Sequence, residues 1–152
     1  MNKKSAGILL YRQLHEPEIF LVHPGGPFFI KKDAGAWTIP KGEFIDLELP
    51  LDAALREFKE ETGVSLSGES IELTPVKQKS GKIVYAWAIQ GDIDPATILS
   101  NTFTMEWPPH SGQSKAFPEI DKGAWFDLAT AKVKINPAQM AFIDELLSKL
   151  KK

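Results

Sequence analysis

Two short apolar runs near the start of the chain, separated by a few polar residues, predict a pair of adjacent strands. The runs are Ala6–Arg12 and Glu18–His23, and the HEPE segment between them is expected to form a hairpin turn. Two further runs, Ile71–Lys77 and Lys82–Gln90, flank a Ser-Gly dipeptide and predict a second strand pair around a turn.

Helical periodicity occurs in two places. Pro50 and Gly63 stand where proline and glycine favour the start and the end of a helix. Between them one stripe at 100° per residue is apolar, formed by Leu51, Ala54, Leu55 and Phe58. A final helix is predicted after the Asn-Pro pair at 136–137, with a buried stripe of Met140, Ile143, Leu147 and Leu150. The layout is therefore strands, a helix, more strands and a terminal helix.

The long segment from Gly91 to Lys122 has little periodicity of either kind. Irregular segments of this length in compact domains are usually lids, binding loops or disordered. Because this one carries several aromatic residues, we interpret it as a functional loop rather than a disordered one.

Composition narrows the class of protein. The chain has 152 residues, which suits one domain spanning 1–152, and its 25% charged and 43% apolar content is that of a globular protein. It has no cysteine, which excludes disulfides and thiolate chemistry. The apolar run near the start is too short for a secretory signal, and no stretch is long enough for a membrane span. We expect a cytoplasmic protein with no membrane partner.

Charge is unevenly distributed along the chain. Residues 42–61 carry seven acids against Arg56 and Lys59, a balance of −5, whereas the whole chain is −2 and the remainder is therefore +3. An acidic patch within a mildly basic surround suits a polyanionic substrate that meets a cation. No strongly basic stripe is present, so we do not expect general nucleic-acid binding.

The acids of the first helix form a candidate metal site. Glu57, Glu60 and Glu61 share one arc of that helix, because residues three and four apart are neighbours on its surface. Carboxylates crowded in this way repel one another unless a cation lies among them, and carboxylate oxygens favour Mg²⁺ or Mn²⁺. The alternative is a solvated acidic face. In either case we expect these side chains to face solvent.

The spacing of these residues resembles the Nudix box: glycine, five residues, glutamate, seven residues, then Arg-Glu-apolar-x-Glu-Glu-x-Gly-apolar. Its seven fixed positions are filled by Gly42, Glu48, Arg56, Glu57, Glu60, Glu61 and Gly63, and its apolar ones by Phe58 and Val64. The resemblance implies an α+β fold, an α/β/α sandwich with a mixed β-sheet between helices. It also implies Mg²⁺-dependent water attack on a phosphoanhydride bond in a nucleoside diphosphate linked to another group.

Similarity extends over nearly the whole chain to a bacterial subgroup described as predicted NTP pyrophosphohydrolases, through segments such as SAGILLYR, WTIPKGE and FTMEWPP. The favoured substrates are therefore small nucleotides, either nucleoside triphosphates or dinucleoside polyphosphates. One alternative is a catalytically silent Nudix domain that binds nucleotides, although such domains normally have broken box acids. Isomerase chemistry of the isopentenyl diphosphate type requires a cysteine, which is absent. Both a monomer and a homodimer remain open.

The resemblance also assigns roles to matching positions. Glu57 and Glu61 resemble the principal metal ligands, Glu60 assists them, and the Gly42 carbonyl is a frequent further ligand. Arg56 resembles the arginine that orients these glutamates, with Glu48 as its ion-pair partner.

An acid outside the box often completes such a site. Glu119 is the candidate, because it lies six residues before Trp125, a placement similar to the extra glutamate of asymmetric diadenosine tetraphosphate hydrolases. Glu106 is its rival. The general base is expected to be Glu57 or Glu119.

Substrate contacts are less specific in the sequence. Candidate phosphate-binding lysines are Lys41, Lys77, Lys79 and Lys82, of which Lys41 and Lys79 are favoured. Candidate surfaces for base stacking are Trp87, Phe103, Trp107 and Phe117, of which Trp107 is favoured. The three histidines show no metal spacing and receive no role.

Overall fold

A six-stranded mixed sheet forms the centre of the computed structural model, which describes residues 3–13 and 15–150. In chain order the strands are β1 Lys4–Gln13, β2 Pro17–Pro24, β3 Lys41–Glu43, β4 Ser70–Lys77, β5 Ile83–Gln90, β6 Thr102–Glu106, β7 Ser114–Pro118 and β8 Ile120–Asp127. The strand order of the sheet is β4-β5-β1-β2-β8, and the short β3 also pairs with β1. A separate two-stranded hairpin is formed by β6 and β7.

The strand pair at the start of the chain diverges, and this divergence positions the site. β1 and β2 pair antiparallel only at residues 11–13 and 17–19. Nearer the start of β1, residues 5–7 pair instead with β3, which lies along the same edge of β1 as β2 does. The other edge of β1 runs parallel to β5 over eight residue pairs. β3 is therefore held in the middle of the sheet by backbone hydrogen bonds, although it is only three residues long.

Helices cover both faces of this sheet. Helix α1, Pro50–Thr62, packs on one face, and helices α2, Leu128–Lys134, and α3, Met140–Leu150, pack on the other. The expected α/β/α sandwich with a mixed sheet is confirmed. No helix of the described residues combines the length and the apolar character needed to cross a membrane.

Alternation along β1 builds a core on each side. Leu9 and Tyr11 face the layer of α2 and α3, whereas Ile8 and Leu10 face α1, as the two-residue period of a strand requires. All four side chains are at most 5% exposed. A strand buried on both faces reads as a continuous apolar run, which is the pattern seen at residues 8–11.

Helix α1 begins and ends where the sequence predicts. Pro50 lies in its first turn, and Gly63 ends it in the left-handed conformation with φ 81°. The Gly63 amide donates to the Lys59 carbonyl at 2.7 Å, which satisfies one of the last carbonyls of the helix. Ala53, Ala54 and Phe58 are fully buried, so two small residues bring the helix axis close to the sheet.

The segment 91–122 is where the sequence-based layout is wrong. In place of an irregular loop it contains the β6–β7 hairpin and the start of β8. The hairpin residues are mostly exposed, so no buried face marks them in the sequence, and the strands are stabilised by pairing with each other. Strand β8 and helix α2 are also absent from the layout. Asn136 caps a short 3₁₀ turn, Pro137–Gln139, which precedes α3.

Candidate functional site

Two glutamates of α1 lie buried against β3. Glu57 is 9% exposed and Glu61 is 7% exposed, one helical turn apart. The Lys41 amide donates to Glu61 Oε1 at 3.0 Å. A Cβ atom at Gly42 would lie 2.0 Å from Glu57 Oε2, so only glycine leaves room for this carboxylate. The expectation that both carboxylates face solvent is wrong, because β3 covers them.

Burial governs the titration of this pair. It raises the pKa of Glu61 to about 8, against the smaller opposing effect of the Lys41 amide. Burial also raises the pKa of Glu57, and the Arg56 guanidinium opposes this shift. Low dielectric disfavours a charged carboxylate unless a positive charge lies close by. A cation bound between the two side chains would therefore stabilise their charged form.

Arg56 organises the acids around it. Its Nε and Nη2 donate to both oxygens of Glu48, at 2.8 and 2.9 Å. Its Nη1 donates to Glu57 Oε1 at 2.8 Å and to Glu60 Oε2 at 3.2 Å. The hydrogen bond with Glu48 is the largest cause of a raised Arg56 pKa. The expected Glu48–Arg56 pair is present, and this arginine fixes the orientation of the Glu57 carboxylate.

The structure brings Glu119 toward the buried pair. Its charge contributes to the raised pKa of both Glu57 and Glu61. Its backbone is held on both sides, since the Gly25 amide donates to its carbonyl at 2.9 Å and its own amide donates to the Asn101 carbonyl at 2.8 Å. The Glu119 side chain is exposed, so it borders the site from the solvent side.

Glu106 has a different environment. Its carboxylate accepts the His110 amide at 3.1 Å and the Gly112 amide at 3.0 Å, and it thereby closes the turn between β6 and β7. This accounts for an acid at that position without any role in the site.

The donor set suits a hard divalent cation. Glu57 and Glu61 present buried oxygens with raised pKa values, and the space at Gly42 is occupied by a carboxylate. The side chain of Glu60 is 40% exposed and is paired with Arg56. Within residues 3–13 and 15–150, no three Asp, Glu or His side chains are arranged so that together they hold a metal ion. Glu57 and Glu61 could therefore hold a cation together, and no third carboxylate of the described residues joins them in this arrangement.

The candidate lysines divide into two groups. Lys41 lies beside the acids, and its pKa is lowered, first by burial and then by the neighbouring charge of Lys82. Lys82 Nζ lies 3.3 Å from Glu43 Oε2. Lys79 instead lines a cleft with residues 136–138, which none of the α1 carboxylates lines. Lys77 is exposed at the end of β4.

The candidate aromatics also differ in their surroundings. Trp87 is half-buried and packs against the core beneath α1. Phe103 and Phe117 pack on each other within the hairpin, with ring centroids 6.0 Å apart. Trp107 contacts Phe28, whose ring centroid is 5.7 Å away. Phe28 is not among the aromatic residues that the sequence singles out. The only feature that marks it in the sequence is its place in a loop rich in glycine and proline.

His23 has a structural environment. It is 1% exposed, its Nδ1 lies 2.9 Å from Asp121 Oδ1, and its Nε2 lies 2.7 Å from the Lys32 carbonyl oxygen. It thereby ties the end of β2 to the start of β8 and to the loop that follows β2.

Comparisons with known proteins bear on the family and the fold of the chain. A family model described as NUDIX domain matches residues 1–146. No curated protein matches the chain at a significant level. Among solved structures, the chain is similar to a C. elegans Ap4A hydrolase in a binary complex, with 21% identity, 97% of each chain covered and a TM-score of 0.62.

Two other solved structures show the same fold. The NUDIX domain of Shewanella oneidensis NrtR, complexed with ADP ribose, has 15% identity, covers 99% of this chain and 89% of its own, and has a TM-score of 0.67. A MutT from work on Aliivibrio salmonicida and Vibrio cholerae has 15% identity, 96% coverage of each chain and a TM-score of 0.58. With a family model over nearly its whole length and every box residue in place, the chain belongs to the Nudix family.

Proposed function

We propose that this chain hydrolyses a phosphoanhydride bond in a nucleoside diphosphate linked to another group, by attack of water at phosphorus. Nucleoside triphosphates and dinucleoside polyphosphates are the favoured substrates. The observation that supports this most directly is the burial of Glu57 and Glu61 against β3, with Lys41 beside them. Similarity to an Ap4A hydrolase and to MutT supports the same class of reaction.

We assign the cation, Mg²⁺ with Mn²⁺ as a substitute, to oxygen donors of β3, α1 and the segment before β8. These donors are the Gly42 carbonyl, Glu57, Glu60, Glu61 and Glu119. When bound, Mg²⁺ would withdraw negative charge from the phosphate chain. The third carboxylate would come from the partly exposed Glu60 or from the exposed Glu119.

Positioning of the reacting groups is the work of Arg56 and β3. Arg56 holds Glu57 Oε1, and the absence of a Cβ at Gly42 leaves space for Oε2. Arg56 is in turn fixed by both oxygens of Glu48. Preorganisation of this kind matters because a small misplacement of a reacting group has a large effect on rate.

Proton removal from the attacking water requires a carboxylate within hydrogen-bond reach. Glu57 and Glu119 are the two candidates. Burial raises the pKa of Glu57, and the exposure of Glu119 gives that side chain readier access to solvent.

Cationic side chains would accompany the phosphates. Lys41 borders Glu61 and Glu57, so its ammonium can neutralise a phosphate held at the acids. Lys79 lies in its own cleft and would contact a more distant part of the substrate. Trp107 is assigned to the base. A cytoplasmic location and a monomer or homodimer stay predictions.

Product analysis on a nucleotide panel with Mg²⁺ tests the proposal. The panel covers diadenosine polyphosphates, nucleoside triphosphates, nucleotide sugars and dinucleotide cofactors. Glu61→Gln serves as the disabled variant, and Glu72→Gln, an exposed acid on β4, serves as the matched control. Cleavage by the wild type and the control but not by Glu61→Gln is the expected result. Absence of cleavage in a folded protein that binds nucleotides would favour the silent binding module.

A further inference from the structure

An exposed aromatic side chain is presented on a well-anchored loop beside the site. Phe28 is 59% exposed, although apolar rings of this size are usually buried. Its loop follows β2, and its first residue, Gly25, bonds to the Glu119 carbonyl at 2.9 Å. The other end is held where His23 Nε2 lies 2.7 Å from the Lys32 carbonyl. The ring is therefore held outward by a fixed backbone and makes little contribution to the core.

The anchor at Gly25 is a close backbone contact. A Cβ atom there would lie 1.9 Å from the Pro118 carbonyl oxygen, so the loop is pressed against the end of β7. Pro118 is directly followed by Glu119. The loop that carries Phe28 is therefore held next to Glu119, the acid that borders Glu57 and Glu61.

The second ring comes from the hairpin. Trp107 follows the last residue of β6, and its ring meets that of Phe28 edge to face, at 5.7 Å and 85°. Aromatic pairs favour this arrangement, which leaves part of a ring face open. The Phe28–Trp107 pair thus joins two segments that the sequence separates widely, at an exposed position.

Two lysines follow Phe28 on the same loop. Lys31 and Lys32 follow Phe29 and Ile30 directly, and Lys32 Nζ lies 5.3 Å from the centre of the Phe29 ring. The adjacent Asp33 is engaged by Lys134 and by the Trp37 Nε1 donor. The loop thus carries ammonium groups within four residues of Phe28, which suits a ligand that is flat at one end and anionic along its length.

The separation between the pair and the acids is compatible with one ligand. The Gly25 amide lies 2.9 Å from the Glu119 carbonyl oxygen, and three residues of chain extend at most about 11 Å, so the Phe28 backbone lies within about 14 Å of that oxygen. A ribose and a short phosphate chain bridge a gap of this size. The pair and the acids can therefore contact opposite ends of the same nucleotide.

We propose that Phe28 and Trp107 form a stacking platform for a nucleobase of the substrate, with its phosphate chain directed toward Glu57 and Glu61. This inference rests on the proposed function and narrows it to substrates that carry a base within reach of the platform. Stacking on an aromatic ring is tolerant of base identity, because every base has a π-face. The platform therefore selects for a nucleotide over a phosphate ester without a base.

The platform differs in its consequences from a purely structural brace between loop and hairpin. A brace needs apolar bulk at residue 28, whereas stacking needs an aromatic ring. Phe28→Leu keeps the bulk and removes the ring, and Phe28→Tyr keeps the ring. Ile30→Ala is the matched control, because Ile30 is 71% exposed on the same loop and has no assigned role.

Steady-state kinetics with Mg²⁺ on a cleaved nucleotide from the panel provides the test. Phe28→Leu should raise KM by about tenfold with kcat changed by less than about twofold, as expected for loss of one base stack. Phe28→Tyr and Ile30→Ala should keep the wild-type KM. A rise in KM that is equal for Phe28→Leu and Phe28→Tyr, or no rise in either, would overturn the proposal.

Two further measurements separate this inference from the proposed function. Phosphoribosyl pyrophosphate has no base, so its KM or inhibition constant should be the same in Phe28→Leu and in the wild type, and an equal weakening would point to bracing. If the wild type cleaves no nucleotide, the proposed function fails. In that case, calorimetric binding of diadenosine tetraphosphate to the wild type and to Phe28→Leu still decides the platform, since equal affinities would refute it.

Discussion

The acid pair on α1 and the aromatic pair at the hairpin, which are linked through the segment around Glu119, are built in opposite ways. Glu57 and Glu61 are less than 10% exposed and are fixed by β3 and Arg56. Phe28 is 59% exposed and is held through its backbone, with Trp107 as its ring partner. In the proposed function, the reacting groups are thus preorganised inside the fold, whereas recognition of the base lies at the surface.

Glu61→Gln should have the largest effect, because it removes the charge from the more deeply placed member of the acid pair. We expect turnover to fall by about 10²- to 10⁴-fold, the range seen on loss of a group acting on the transition state. The fold should remain intact, since the side-chain oxygen of glutamine can still accept a hydrogen bond from the Lys41 backbone amide. Steady-state turnover with Mg²⁺, with circular dichroism as the folding control, gives the answer. Near-normal turnover would mean that the metal assignment is incorrect.

Gly42→Ala breaks the same region through shape alone. The new Cβ would lie 2.0 Å from Glu57 Oε2, so the carboxylate must move, and we expect turnover to fall by about 10²-fold. Stability should change little, because the displaced atoms are the end of a flexible side chain. Turnover and thermal unfolding are measured together. A variant as active as the wild type would show that the position of the Glu57 carboxylate does not limit the reaction.

Glu119→Gln and Glu106→Gln compare an acid beside the buried pair with an acid of the hairpin turn. Glu119 faces the acid pair, whereas Glu106 closes a hairpin turn. We expect turnover to fall by at least about tenfold for Glu119→Gln, as for loss of an assisting carboxylate, and by less than about twofold for Glu106→Gln. The reverse order would move the role of the extra acid to Glu106.

The smallest expected effect concerns pH and stability without metal. The pKa of Glu61 is raised to about 8 in the folded chain, from an ordinary value of 4.5. The folded state therefore keeps its proton while the unfolded state releases it, so the stabilising contribution is complete below pH 4.5 and is lost as pH rises toward 8. The Glu61→Gln variant has no carboxylate at this position, so it does not lose stability in this way as pH rises. In EDTA its Tm should exceed that of the wild type by several degrees at pH 8, and by less at pH 5.5.

Added Mg²⁺ provides the complementary measurement. Because a carboxylate must lose its proton to bind a metal, Mg²⁺ should raise the wild-type Tm more at pH 8 than at pH 6. Glu61→Gln should show a smaller rise at both values. An equal rise in Tm in the two proteins would show that Mg²⁺ does not bind through Glu61.

The predictions made from the sequence succeeded where local spacing determines structure. The bounds of α1 follow from Pro50 and Gly63, and the second strand pair follows from two apolar runs around a turn. The box identified the family through residues that are close in sequence. The hairpin β6–β7 was not predicted, because its strands are exposed and carry no buried stripe.

The sequence by itself determined the helix, its row of acids and the family, because a helix places residues three and four apart on one surface whatever surrounds it. Tertiary structure decided which of these acids are buried and which stays at the surface beside Arg56. β3 enters where β1 and β2 diverge, and this buries Glu57 and Glu61 while Glu60 stays with Arg56. The placement of Glu119 at the site and of Phe28 against Trp107 depends on contacts between distant segments, which no local pattern encodes.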